Sequence, residues 1–302
     1  MIEFYKRRKK DQSLKKIKKF KVGSWIKVTD PSKKDIDYLV DNFELEKENL
    51  EDGLDDNEIP RIETSEEATY VFIKTINSLR TQLDTMLIAI GKNFILTLSK
   101  NDPAYLSKIL ENKLKFVTTQ KLKSLITLLE LNDVEFEQTT FQITKEVKRK
   151  KNLSVELGEK ELKNLLEKED LLNSLLSAYV STQLVYSRLL KKLNFYEEDK
   201  DVLDDLIIES EERFNLCRQS LKTISNIREY YLILTSNKLN KIINILTVFT
   251  IFISIPAAIS GIYGMNIALP IQDNPMAFTY IMAFIGLLWV LFLVYVKRNR
   301  MI

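Results

Sequence analysis

Uncharged polar residues recur along one apolar segment near the carboxyl end of the chain. The set comprises Asn240, Asn244, Thr247, Thr250, Ser254 and Gly261. Steps of three, four and seven residues keep these positions within about a third of the circumference of a helix. The opposite side of the same helix carries apolar residues, among them Ile245, Phe249 and Ile259. The spacing therefore predicts a helix with one polar stripe and one apolar face.

Two interpretations of this stripe stay open at this point. Small polar residues can join two helices in a membrane bundle. They can also line a pore that several copies of the helix enclose. Such a pore would suit hydrated cations, because its oxygens can bind the water shell of Mg2+, which loses water reluctantly. No charged side chain is available to trap the ion, and a pore must release what it binds.

The stripe lies in the first of two long uncharged windows. The first window has 31 positions and follows Lys241, and the second has 23 positions and follows Asp273. Because about 20 apolar residues cross a bilayer as a helix, each window predicts one span. We place the spans at about 242–262 and 277–296, so that residues 241–302 form a transmembrane hairpin in contact with the lipid bilayer.

Basic residues flank this hairpin on one side only. Lys238 and Lys241 precede the first span, Lys297 and Arg298 follow the second, and the connecting loop has neither Lys nor Arg. The positive-inside rule then predicts that both termini are cytoplasmic and that the loop faces outward. No apolar run opens the chain, so no secretory signal is predicted. The expected location is the cell (plasma) membrane.

The residue content excludes several classes of function. The sequence has no histidine and one cysteine, Cys217, which excludes histidine catalysis, histidine-ligated zinc and an internal disulfide. It has no Gly-x-x-x-x-Gly-Lys-Ser/Thr loop, so we predict neither an enzyme nor an ATP-driven pump, and no cofactor. The basic stretch 6–21 lacks the interleaved aromatic residues of a nucleic-acid platform, so no nucleic-acid partner is expected.

The first part of the chain predicts an α/β domain over residues 1–155. Apolar runs bounded by turn residues predict strands at 24–28, 70–73, 86–90 and 94–98. The segment Gly91–Asn93 is predicted to be the turn between the last two strands. Asp30-Pro31-Ser32 predicts the start of a helix, since proline is favoured near the first turn.

Residues 156–240 predict a helical region. No Pro or Gly occurs at the 97 positions between Gly158 and Pro256. A turn is predicted at 194–200, and a long stalk helix is predicted to begin near Asp201 and to continue into the first span. A helix of that length is typical of a coiled coil, a bundle or a membrane stalk.

The first span ends in Tyr263-Gly264-Met265-Asn266. In this position, followed by a short loop, a second span and a basic tail, the sequence resembles the CorA magnesium transporters. Further segments that are similar to the cytoplasmic domain of that family lie at 24–26, 50–52, 60–63 and 91–97. The resemblance covers essentially the whole chain.

This resemblance implies a homopentameric funnel, in which the long helix lines the funnel and becomes the first span. It implies inward transport of Mg2+, with Co2+ or Ni2+ as further candidates, driven by the membrane potential. The ring of asparagines at the outer mouth falls on Asn266, and Gly264 and Met265 shape the turn. The pore-lining positions of the family fall on the polar stripe.

The resemblance also implies regulation by cytoplasmic divalent cations, which bind acidic residues between neighbouring copies and close the pore. By position this role falls on Asp205 and Glu229, so Mg2+ is expected to be both the transported and the regulatory ion. In the outer loop, where many relatives have Met-Pro-Glu, this chain has Leu269-Pro270-Ile271. Asp273 is the one acid of that loop and is expected to attract cations.

Two alternatives remain beside Mg2+ transport. One is a Zn2+ transporter of the same superfamily; Met265 argues against it, because the zinc-transporting branch usually varies the middle residue of the Gly-Met-Asn triplet. The other is a membrane-anchored coiled coil with a structural or signalling role. A coiled coil would have the same long helix but would not need a polar stripe through the membrane.

Overall fold

The computed structural model describes residues 1–77, 81–152, 158–267, 269–271 and 273–298. The chain forms two compact units, Met1–Asn226 and Ile227–Ile302. The predicted boundary between residues 155 and 156 lies outside the described residues. The predicted division into a cytoplasmic domain, a helical region and a transmembrane hairpin therefore stays a prediction.

A seven-stranded sheet forms the core of the first unit. Its strands, in chain order β1 to β7, are Ile2–Lys6, Lys15–Ile17, Ser24–Thr29, Arg61–Thr64, Ala68–Ile76, Leu83–Gly91 and Phe94–Ser99. They lie in the spatial order β2-β1-β3-β7-β6-β5-β4. Among the described strands, β3 and β7 run parallel and the other neighbours are antiparallel. The four strands predicted from the sequence correspond to β3, β5, β6 and β7 and are confirmed.

Seven helices accompany the sheet in the described part of the chain. In chain order α1 to α7, they are Lys33–Phe43, Lys47–Asp52, Ala104–Leu110, Lys121–Asn152, Glu159–Lys192, Glu197–Tyr263 and Ala277–Arg298. The predicted helix start near Ser32 is confirmed: its side chain accepts a hydrogen bond from the Asp35 backbone, and the Asp35 carboxylate accepts one from the Ser32 backbone. This reciprocal arrangement is a capping box.

Both faces of the sheet are covered, because successive strand residues point to opposite sides. Tyr70 and Phe72 pack on one side with α1 and α2. Val71 and Ile73 pack on the other side with residues of α3, α4, α5 and the first part of α6. Burial on both sides explains why these strands read as continuous apolar runs in the sequence.

The long helix α6 has 67 residues, which at 1.5 Å per residue correspond to a length of about 100 Å. The predicted start near Asp201 is wrong by four residues, because α6 begins at Glu197. Its first turn carries Glu197, Glu198 and Asp199, and negative charge is favourable at the positive end of a helix dipole. The turn between α5 and α6 is correspondingly shorter than predicted.

The second unit contains the end of α6 and the whole of α7. Both helices are long and apolar enough to cross a membrane. Helix α7 has 22 residues and a length of about 33 Å, close to the thickness of the hydrocarbon core. The two predicted spans, 242–262 and 277–296, lie within these two helices.

Candidate functional site

The polar stripe lies on the last part of α6 and is largely exposed within the chain. Asn240, Thr247, Thr250, Ser254 and Gly261 are exposed, whereas Asn244 is half-buried. On another side of the same helix, Val248 is buried and Phe252 contacts Trp289 of α7. The helix therefore turns one side toward α7 and leaves the stripe open to another molecule.

The hydroxyl groups of the stripe donate to the backbone of their own helix. Thr247 donates to the carbonyl oxygen of Ile243, Thr250 to that of Leu246, and Ser254 to that of Thr250, at 2.7–2.9 Å. A hydroxyl group has one hydrogen and two acceptor lone pairs. Because the hydrogen is used inside the helix, these three oxygens present acceptors to their surroundings.

Acceptors of this kind match a hydrated cation. The water molecules around a cation turn their oxygens toward the ion and their hydrogens outward. The stripe can therefore accept hydrogen bonds from the water shell without removing it. The span has no ionised side chain to hold the ion tightly, since the window after Lys241 carries no charge.

The Gly-Met-Asn triplet follows the last residue of α6 directly. The Gly264 N–H donates to the carbonyl oxygen of Ser260 at 2.9 Å, and the Met265 N–H donates to that of Ile262 at 3.2 Å. A Cβ at position 264 would lie 3.3 Å from the Ser260 oxygen, so a larger residue would crowd this turn. Asn266 is exposed beyond the turn and offers an amide donor and an amide acceptor.

In the described part of the loop between α6 and α7, a side-chain hydrogen bond links the loop to the end of α6. The Tyr263 hydroxyl donates to the carbonyl oxygen of Pro270 at 3.4 Å. The Asn274 side chain accepts from the backbone N–H of Met276 at 2.9 Å, immediately before α7. Asp273 is exposed in this loop, as an ion-attracting carboxylate must be.

The two candidate regulatory carboxylates belong to different units. Asp205 lies in the first unit and Glu229 in the second, and both are exposed on α6. In the described part of the chain, no group of three or more His, Cys, Asp or Glu side chains could hold a metal ion.

A buried ion cluster joins α4 and α6 and was not predicted from the sequence. The guanidinium of Arg213 is bonded to the Asp133 carboxylate and lies 2.8 Å from Glu209 and 3.5 Å from Glu137. Burial raises the pKa of Asp133 to about 6, although the charge of Arg213 opposes this shift. Asp133 and Arg213 are 80 residues apart, and no local pattern marks them as partners.

Comparisons with known proteins agree with this architecture. A family model for CorA-like Mg2+ transporter proteins matches residues 20–298. The cobalt/magnesium transport protein CorA of Methanocaldococcus jannaschii is 26% identical over 299 residues, covering 91% of this chain and 90% of that protein. The complete CorA magnesium transporter structure from the same organism has a TM-score of 0.81 at 21% identity, covering 99% and 98% of the two chains. The full-length CmaX protein has a TM-score of 0.74 at 14% identity, covering 99% and 97%.

The structural likenesses establish the fold of the whole chain: a domain with a sheet, a long helix and two apolar helices at the carboxyl end. The family match extends over nearly the whole sequence and includes both membrane helices. It confirms the resemblance noted in the sequence and the expectation that the protein is not an enzyme. The chain is thus a membrane protein for the transport of divalent cations, and it belongs to the family of CorA-like Mg2+ transporter proteins.

Proposed function

We propose that several copies of this chain enclose a pore that carries Mg2+ into the cell as a hydrated ion. The observation that carries this proposal is the row of hydroxyl oxygens at Thr247, Thr250 and Ser254. They are exposed, they lie in an uncharged span, and their hydrogens are already donated to the backbone. The stripe therefore favours a ligand that donates hydrogen bonds and is itself held weakly, as a hydrated cation is.

Mg2+ is the proposed ion because it keeps its water shell more firmly than most divalent cations. The relative with 26% identity is named a cobalt/magnesium transport protein, which makes Co2+ the next candidate, with Ni2+ after it. The sequence has no histidine, and its one cysteine, Cys217, precedes the membrane span in the sequence, so the span lacks the usual nitrogen and sulfur ligands of Zn2+.

The pore requires more than one copy, since two spans per chain cannot enclose a path. We propose a homopentamer, as the family resemblance implies, with α6 of each copy on the inside. Both termini are then cytoplasmic and the loop that contains Asp273 is outside. Asn266 of each copy would form a ring at the outer mouth, next to the carboxylates of Asp273.

The membrane potential would supply the driving force. It contributes about 2.3 kcal/mol per elementary charge per 100 mV, so two charges gain about 5 kcal/mol at that potential. With this driving force, inward movement of Mg2+ would need no other energy source. Cytoplasmic divalent cations would limit the influx by binding at Asp205 and Glu229 between neighbouring copies.

The test is Mg2+ influx into liposomes that contain the purified full-length protein, with an inside-negative potential and no ATP. We expect influx with the unmodified chain and a loss of at least about tenfold with Asn266→Ala, because removal of a hydrogen-bonded contact to the ion shell costs about 1.5 kcal/mol or more. The matched control is Asn42→Ala, since Asn42 is an exposed asparagine in α1 whose side chain donates to the Tyr38 carbonyl oxygen of its own helix.

Three results would separate the possible explanations. If the unmodified chain and Asn266→Ala give equal influx, the asparagine ring is removed from the proposal and the proposed pore is retained. Loss of influx in both asparagine variants, or a changed oligomer on size-exclusion chromatography, would indicate a folding effect. If the protein does not transport Mg2+ but takes up Zn2+ when a proton gradient is imposed, zinc transport replaces the proposed function.

A further inference from the structure

Helix α6 contains a proline in its membrane-spanning part, and this proline leaves one carbonyl group without its helical donor. Pro256 lies inside α6. Because proline has no backbone N–H, it cannot donate to the carbonyl oxygen of Phe252, four residues earlier. On the side of α6 that faces α7, away from the stripe, no water is available to replace such a bond, so another group of the protein must supply it.

Trp289 of α7 binds the same carbonyl oxygen. Its indole N–H donates to the Phe252 oxygen at 3.0 Å. The rings of Phe252 and Trp289 are also stacked, with centroids 4.2 Å apart and planes inclined by 10°. The stacking holds the indole against Phe252, whose carbonyl oxygen it also binds. The ring contact and the hydrogen bond therefore join Trp289 to the same residue of α6.

We propose that Trp289 is a positioning residue of the conduction path: it replaces the hydrogen bond that Pro256 removes and thereby fixes the course of α6 at its proline. Pro256 lies two residues after Ser254 and five before Gly261, so it divides the polar stripe into an inner and an outer part. The alignment of these two parts depends on how far α6 bends at Pro256, because prolines tend to kink helices. The proposal rests on the proposed function only in that the stripe lines the path.

The hydrogen bond distinguishes this role from ordinary packing. A phenylalanine at position 289 could still stack on Phe252 but could not donate to its carbonyl oxygen. An alanine at position 256 would restore the backbone donor, so the indole would then no longer be needed. Trp289→Phe removes the indole donor, and Pro256→Ala supplies a backbone donor in its place. The two substitutions therefore test the same hydrogen bond.

The transport experiment compares Trp289→Phe, Pro256→Ala and the double variant in the liposome assay for Mg2+. We expect Trp289→Phe to lower the maximal influx by roughly tenfold in the presence of Pro256, because the carbonyl group is left without a partner. In the Pro256→Ala background the same change should lower the influx less than about twofold. The control is Trp25→Phe, which removes an indole bond of equal length, to Thr97 in the sheet, and should leave the influx per reconstituted protein unchanged.

A spectroscopic measurement tests the bond independently of transport. The sequence has two tryptophans, Trp25 and Trp289, so the full-length protein labelled with 15N-tryptophan gives two indole N–H signals. The Trp289 signal is identified by its absence in Trp289→Phe. We expect it to move upfield in Pro256→Ala, where the new backbone N–H at position 256 competes for the Phe252 oxygen, while the Trp25 signal stays in place.

The proposal is overturned by influx through Trp289→Phe that equals that of the unmodified chain. It is also overturned if Trp289→Phe lowers the influx by the same factor in the chain with Pro256 and in the Pro256→Ala variant, since the indole would then act independently of Pro256. If even the unmodified protein does not conduct Mg2+, the proposed function fails. In that case the NMR signal still decides whether the indole replaces the proline bond: an unmoved signal in Pro256→Ala contradicts it.

Discussion

Thr250 illustrates how a hydroxyl group in a membrane span acquires a defined hydrogen-bonding character. Its hydrogen is donated to the carbonyl oxygen of Leu246, and its own carbonyl oxygen accepts from Ser254. The side-chain oxygen is left with acceptor lone pairs only. This arrangement gives the stripe a preference for donors such as the water around a cation, although it carries no charge.

Replacement of Thr250 by valine, which has nearly the same shape, tests this acceptor role. We expect Thr250→Val to lower Mg2+ influx into liposomes about three- to tenfold, because one acceptor for the water shell is lost while the volume is kept. The matched control is Thr223→Val, since Thr223 makes the same bond, to the Gln219 carbonyl oxygen at 3.0 Å, in the first unit. Unchanged influx through Thr250→Val would show that this oxygen does not contact the water shell of the ion.

At the scale of the elements, the cluster around Arg213 determines how α6 packs on α4. Asp133 and Arg213 are both nearly inaccessible, and Glu209 adds a further bond on the α6 side. Removal of one member of a buried ion pair leaves the other charge uncompensated. The cluster therefore disfavours any alignment of α4 and α6 that separates Arg213 from Asp133.

The pKa of Asp133 makes this contact dependent on pH. Because burial raises it to about 6, above the usual value of 3.8, the folded chain binds a proton that the unfolded chain has already lost. The stability linked to this proton is present below about pH 4 and is lost as the pH rises through about 6. As the pH rises over this range, we expect the free energy of unfolding of Asp133→Asn to increase by on the order of 2 kcal/mol relative to that of the unmodified chain.

Thermal unfolding of the full-length protein between about pH 4 and pH 7 measures this difference. Asp35→Asn is the control, because hydrogen bonds from Ser32 lower the pKa of Asp35 below its usual value of 3.8. The stabilising effect of the Asp35 carboxylate is lost only as the pH falls below that range, so the difference between Asp35→Asn and the unmodified chain should stay constant over the measured range. A difference between Asp133→Asn and the unmodified chain that is constant over the whole range would contradict the assignment.

At the scale of the whole molecule, the proposed function requires more than one copy of the chain. The polar stripe is open, and exposed apolar residues lie on the same helix before the span, among them Tyr230, Ile233 and Leu239. The candidate regulatory positions Asp205 and Glu229 each offer a single carboxylate, which binds a divalent cation weakly by itself. Both properties fit the proposed homo-oligomer.

Regulation through these carboxylates predicts a change in the response to internal Mg2+. We expect Asp205→Asn and Glu229→Gln each to raise, by about tenfold, the Mg2+ concentration on the cytoplasmic side that halves the influx, because each removes one ligand charge per site. Asp204→Asn is the matched control, since Asp204 is an exposed neighbour of Asp205 on the same helix. An unshifted response in both variants, with normal influx at low internal Mg2+, would exclude these positions as regulatory ligands.

Sequence patterns predicted those elements whose local chemistry is distinctive. Strands β5, β6 and β7 were predicted because they are apolar on both faces, and the two spans because they lack charge. Strand β2, with the sequence Lys-Lys-Ile, was missed, because it is a strand only through its pairing with β1. In the stripe, the half-burial of Asn244 was missed, because burial depends on tertiary packing that the period of the stripe does not encode.

The sequence by itself determined the membrane spans, the long helix, the polar stripe and the Gly-Met-Asn end of the first span. These features depend on residue type and on periods of three and four, which act over a few residues. Only the tertiary structure decided that Arg213 meets Asp133, 80 residues away, and that Trp289 binds the carbonyl oxygen of Phe252, 37 residues away. The sequence shows that Pro256 leaves a carbonyl group unsatisfied, but the partner of that group is chosen by the packing of α7, which no local period encodes.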